Sequence, residues 1–161
     1  HGIDPHIWTS PRALKQMAAN AYDALRTSFP DSVRYTENYE KLLVRLDSLD
    51  TACAEALRQA DVHTIVIYHP ALTYYAADYG LEQLAVEHDG KEPSARHLAR
   101  LIEEARRKKV RRVFYQAQYP ASTVKVIAED IGARSVKIDP LREDVIENIG
   151  EITRQLTSGN E

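Results

Sequence analysis

Residues 63–68, HTIVIY, running directly into HPALTYYAADYGL at 69–81, decide the fold of this chain. The first six are rich in β-branched and aromatic side chains and read as a short strand. The stretch at 71–79 then takes up helical spacing. The same change of period recurs downstream: 83–87 (QLAVE), 111–115 (RRVFY) and 134–138 (RSVKI) read as strands, and helical patterns occupy 94–108, 121–131 and 143–156. Strand alternating with helix four times points to parallel strands joined by right-handed crossovers. The expected fold class is α/β, a four-stranded mostly parallel sheet flanked by helices.

Upstream of this unit the pattern is helical throughout. Pro11, behind the capping residue Ser10, opens a helix in which Leu14, Met17, Ala18, Ala21, Ala24 and Leu25 recur at intervals of three and four. Phe29-Pro30-Asp31-Ser32 interrupts it. A second, longer pattern runs through Tyr35, Tyr39, Leu42, Leu43, Leu46, Leu49, Cys53, Ala56 and Leu57. Its stripe reads as a packed core face rather than a redox site. The organisation expected is a helical arm over 1–61 followed by an α/β unit over 62–161.

The 161 residues suffice for a core of ordinary domain size. Lys plus Arg number 21 and Asp plus Glu 24, so the net charge of −3 favours neither nucleic acid nor an anionic membrane as partner. With 43% hydrophobic and 28% charged residues, the mixture is that of a globular domain and not of a disordered tail. The apolar run around 64–68 is far shorter than the ~20 residues of a membrane span. The single Cys53 excludes an internal disulfide and any multi-cysteine zinc site. No basic-then-apolar leader precedes Pro5, which leaves a cytosolic protein or a chain without its natural start as the two readings.

Small ligands of open α/β sheets bind beyond the carboxyl ends of the strands. There the sequence places His69-Pro70, His88-Asp89-Gly90, Gln116 and Asp139-Pro140. An X-Pro bond keeps His69 and Asp139 extended and out of any following helix. Imidazole and carboxylate on one rim suit zinc. The same two residues also serve as helix cap and strand end, and spacing does not decide between these roles. A second candidate is the proline-bracketed loop DPHIWTSP at 4–11, with a histidine and the only tryptophan. With no cysteine pair, a metal site has to be assembled from His6, His69 and Asp139, with His88 or Glu92 in addition.

Together these segments resemble the solute-binding receptors of ABC importers for zinc and manganese, which are built as two α/β lobes joined by one long helix. Four ordered motifs carry the resemblance: DPHIWTSP at 4–11, HPALTYYAADYGL at 69–81, EPS at 92–94 and VKIDPL at 136–141. The resemblance implies that His6, His69 and Asp139 are metal ligands. Zinc-type members similarly have His at the place of residue 69 where manganese-type members tend to have Glu, which favours zinc over manganese.

Three departures accompany it. The family's first lobe, with a further histidine ligand, has no counterpart ahead of His1, so the chain is expected to be a fragment of a two-lobed receptor. It would comprise the metal-ligand loop and interlobe helix (1–61) and the C-terminal lobe (62–161). Gln116 stands where the family often has Glu, and Arg142 where Gly commonly follows the D-P-L stretch.

The function implied is extracytoplasmic capture of zinc, in the periplasm or as an anchored lipoprotein, and delivery to the permease of an ABC importer. The alternatives are a manganese receptor of the same family, a zinc-dependent hydrolase and an adhesion module; an open fourth ligand position is also the mark of catalytic zinc. No enzyme activity is expected. The fragment alone should hold metal weakly or not at all. It should self-associate through an apolar interlobe surface that includes the long helix and Trp8, while His88 and His97 are expected to be solvated bystanders.

Overall fold

In the computed structural model, which describes residues 3–87, 90–119 and 121–158, the strand-like segments pair as one parallel sheet. The elements are a short 3-10 turn at Ile7–Thr9, α1 (Pro11–Ser28), α2 (Val33–Gln59), β1 (Thr64–Ile67), α3 (Thr73–Asp78), β2 (Glu82–Ala85), α4 (Ala95–Arg107), β3 (Arg112–Gln116), α5 (Ala121–Ile131), β4 (Arg134–Ile138) and α6 (Val145–Thr157). The strand order is β2-β1-β3-β4, and every pairing is parallel. The first strand in sequence is thus an inner strand. Ile65, Val66 and Ile67 are completely buried there, as a strand covered on both faces requires.

The alternation of side chains along the strands sorts the core into two layers. Ile65 and Ile67 of β1 and Phe114 of β3 pack with Cys53 and Leu57 of α2, with Leu72 and Tyr75, and with Ile149, Ile152 and Leu156 of α6. Val66 and Val113 point the other way, to Leu101 and Ala105 of α4 and to Val124, Ile127 and Ala128 of α5. Burying one such side chain is worth roughly 1.5–3 kcal/mol. The stripe on α2 is a core face, as its spacing indicated. Cys53 is buried against Thr153 Oγ1 at 3.1 Å, and burial pushes its thiol up, in keeping with a core role.

The arm begins as the sequence predicts: Pro11 occupies the first helical position and the Ser10 hydroxyl accepts from the amides of Arg12 and Ala13. Helix α2 is 27 residues long. The predicted 71–79 helix is shorter, Thr73–Asp78, because the chain first turns at 69–72, where the Ala71 amide donates to the His69 carbonyl. No helix among the described residues is long and apolar enough to cross a membrane.

Each of the first four helices that lead into a strand ends in one repeated device. The amides of Val62, Leu81, Val110 and Ala133 donate to the carbonyls of Leu57, Ala76, Ala105 and Ala128, at 2.7–3.1 Å. These are the six-to-one bonds of Schellman caps, and the residue before each donor is left-handed: Asp61, Gly80, Lys109 and Gly132. Glycine takes that conformation freely, while a Cβ makes it cost about 1–2 kcal/mol. Around Gly132 an added Cβ meets nothing within 4 Å, so only backbone strain is at stake. In urea unfolding, Gly132→Ala should therefore lose about 1 kcal/mol, and Lys109→Gly should gain a similar amount.

Candidate metal site

Across the carboxyl edge of the sheet, strand order sets the residues in the sequence Glu87, His69, Gln116, Asp139. The ladder between β2 and β1 continues past both strands, with the amides of Val86 and Glu87 donating to the carbonyls of Ile67 and Tyr68 at 2.9 Å. This extension carries the nearly buried Glu87 carboxylate to His69, where Oε2 lies 3.0 Å from the ring Nδ1. Tyr119 stacks on the same imidazole, with centroids 5.4 Å apart and planes 17° apart. Burial together with the nearby Glu87 carboxylate pushes the Tyr119 phenol up. On the opposite side, Gln116 Nε2 donates to the His69 carbonyl at 3.0 Å. His69 does not cap α3: its side chain turns to Glu87, and the cap position is held by Leu72.

The 4–10 loop delivers the second imidazole. Asp4 Oδ1 accepts from the His6 amide at 2.9 Å and from His6 Nδ1 at 2.7 Å, which curls the loop back on itself. Tyr74 donates its hydroxyl to the Asp4 carbonyl at 3.0 Å, so the loop is pinned to the helix that begins just after His69. The rings of His6 and His69 meet edge to face with centroids 5.1 Å apart. Trp8 packs against His6 and donates its indole N–H to the Pro140 carbonyl at 2.9 Å. Trp8 is therefore half-buried and engaged.

Asp139 lies on the same rim but two strands from His69, a backbone separation of about 9–10 Å at ordinary strand spacing. It is exposed, and its Oδ1 accepts from the Leu141 amide at 3.0 Å. The structure thus brings the rings of His6 and His69 together, with Asp139 on the same rim two strands from His69. Among the described residues no group of three or more His, Cys, Asp or Glu side chains is arranged to hold an ion. Glu92 is exposed, and His97, expected to be solvated, is half-buried with Nε2 3.1 Å from the Ala85 carbonyl. His1 and His88 lie outside the described residues. Two participants went unassigned from sequence: Asp4, read as a turn residue, and Glu87, whose place beside His69 follows from strand order.

A family model described as zinc-uptake complex component A, periplasmic, matches residues 1–157, and the chain belongs to that family of metal-binding receptors. Over 144 residues the chain is 31% identical to the zinc-binding lipoprotein AdcA of Streptococcus pneumoniae, covering 88% of this chain and 29% of AdcA. It is 27% identical to the high-affinity zinc uptake system protein ZnuA of Bacillus subtilis, covering 88% of this chain and 45% of that protein. A crystal structure of ZnuA superposes with a TM-score of 0.90 at 31% identity, over 98% of this chain and 62% of that one. The chain therefore spans less than two thirds of each of these relatives. These relatives are named for zinc binding and zinc uptake.

Two predictions follow from the pinning of the histidines. Burial raises the Asp4 carboxyl, but hydrogen bonds from Thr73 and from the His6 backbone and ring outweigh it and hold the group below its ordinary 3.8. A depressed carboxyl stabilises fully above its unfolded value and loses that contribution as pH falls through the native one. Trp8 fluorescence should therefore report release of the loop below about pH 4, and Asp4→Asn should abolish that acid transition. Gln116 is buried, with Oε1 unpartnered among the described residues, and only its amide N–H can serve the His69 carbonyl. Gln116→Glu would put an acceptor against an acceptor, and should cost roughly 2–3 kcal/mol in urea unfolding.

Proposed function

We propose that this chain is the ligand-bearing part of an extracytoplasmic zinc receptor that hands its ion to the permease of an ABC importer. The observation that carries the reading is the convergence of His6 and His69, from segments 63 residues apart in sequence, to a ring separation of 5.1 Å. Both imidazoles are tethered through Nδ1, and neither Nε2 has a hydrogen-bond partner among the described residues. Such a pair suits zinc better than manganese, in keeping with the zinc-binding names of the relatives. Asp139 is the third ligand, brought in from the far strand when an ion arrives. Residues 1–61 act as loop and interlobe helix and 62–161 as the second lobe of a two-lobed molecule. The relatives' description as lipoprotein and periplasmic component supports a place outside the cytoplasmic membrane.

Exposed apolar side chains on the arm, Met17, Leu25, Phe29, Val33 and Val44, support self-association of this chain when it stands alone. The ion and this contact are separable in the test. Zinc titration of the 161-residue chain should show one weak site per chain. Losing one of the three ligands removes roughly 3 kcal/mol, a hundredfold or more in Kd, so His6→Ala and His69→Ala should each weaken binding by at least that factor. Unchanged zinc affinity in either variant overturns the assignment of that residue.

A further inference from the structure

We infer that Asp4 and Glu87 are positioning residues that hold His6 and His69 in the same tautomer, with the proton on Nδ1, so that the incoming cation meets Nε2 of both rings. The inference rests on the reading of these two histidines as ligands and adds the groups that prepare them. A carboxylate oxygen can only accept, so the nitrogen facing it must carry hydrogen. At His6 that nitrogen is Nδ1, 2.7 Å from Asp4, and at His69 it is again Nδ1, 3.0 Å from Glu87. The two arrangements are independent in sequence: one carboxylate stands two residues ahead on the same loop, the other comes from a neighbouring strand.

Neither carboxylate is loosely placed. Asp4 is held by the His6 amide through its side chain and by Tyr74 through its carbonyl. Glu87 has a side chain only 8% exposed and a backbone amide fixed to Tyr68, while the stacked Tyr119 ring fixes the plane of the His69 imidazole. Free neutral imidazole of histidine prefers the opposite tautomer, with hydrogen on Nε2 and the lone pair on Nδ1. In that form each ring would turn an N–H toward the ion. The carboxylates reverse the preference before any ion is bound, and they increase the donor strength of the exposed nitrogen.

The test reads the tautomer directly. Long-range 1H–15N spectra of the zinc-free 161-residue chain at about pH 8, above the ordinary imidazole range, should show both rings as Nδ1–H. Glu87→Ala should return His69 alone to the Nε2–H form and leave His6 unchanged; Asp4→Ala should do the converse. In competition with a chromophoric chelator, each variant should bind zinc about 10–100-fold more weakly. A wild-type spectrum with His69 or His6 as Nε2–H overturns the inference, whether or not Glu87→Ala folds. So does an alanine variant that keeps the Nδ1–H form, or one that keeps wild-type zinc affinity. Nδ1–H tautomers in a wild-type chain that takes up no zinc would instead overturn the receptor reading and leave the role of the carboxylates standing.

Discussion

The ladder between β1 and β2 does not stop where the strands do, and the rim of the molecule depends on that extension. Two further backbone hydrogen bonds, at Val86 and Glu87, hold the carboxylate of one strand end against the imidazole of the next. Without them Glu87 would belong to a loop, and the ring of His69 would keep only its aromatic contacts. The extension in turn requires β1 to be an inner strand, clamped between β2 and β3, and its complete burial is what fixes it there. A hydrophobic constraint on Ile65, Val66 and Ile67 is thereby transmitted, through main-chain pairing, to the orientation of one side chain at the surface.

Much of this was legible in the residue pattern. The β-branched runs and the helical spacings between them specified the parallel sheet, and Ser10-Pro11 specified the start of α1. The stripe from Leu46 to Leu57 marked the buried side of the long helix. His69 and His6 were nameable from motif and position. What the pattern did not contain was lateral order. A chain read from left to right gives no sign that β1 lies between β2 and β3, so it does not pair Glu87 with His69, nor reveal that Asp139 stands two strands away. Asp4 was obscured for a different reason: an aspartate before a proline is an ordinary turn former, and only the fold shows that the same oxygen also reaches the ring of His6.

The arm and the sheet are coupled through polar as well as apolar contacts. Arg12 and Lys15 of α1 bind Asp50 of α2, and Asp50 accepts from the Tyr79 hydroxyl beyond α3. Surface pairs of this kind contribute little singly. Here Asp50 gathers three donors from two parts of the chain, and these contacts outweigh the effect of burial to hold its carboxyl below the ordinary value. Ser10, which caps α1, also bonds Asp78 at the end of α3. The loop carrying His6 is thus bracketed at both ends by ties to α3, the helix that His69 leads into.

The lone sulfhydryl offers a consequence of another kind. Cys53 sits on the long helix and faces Thr153 of α6, sealed from solvent and with its thiol pushed up. No reagent can reach it while the two helices remain in contact. Alkylation of this one atom is therefore a stopwatch for separation of the arm from the sheet, running at the rate at which that seam opens and silent to every motion that leaves it shut.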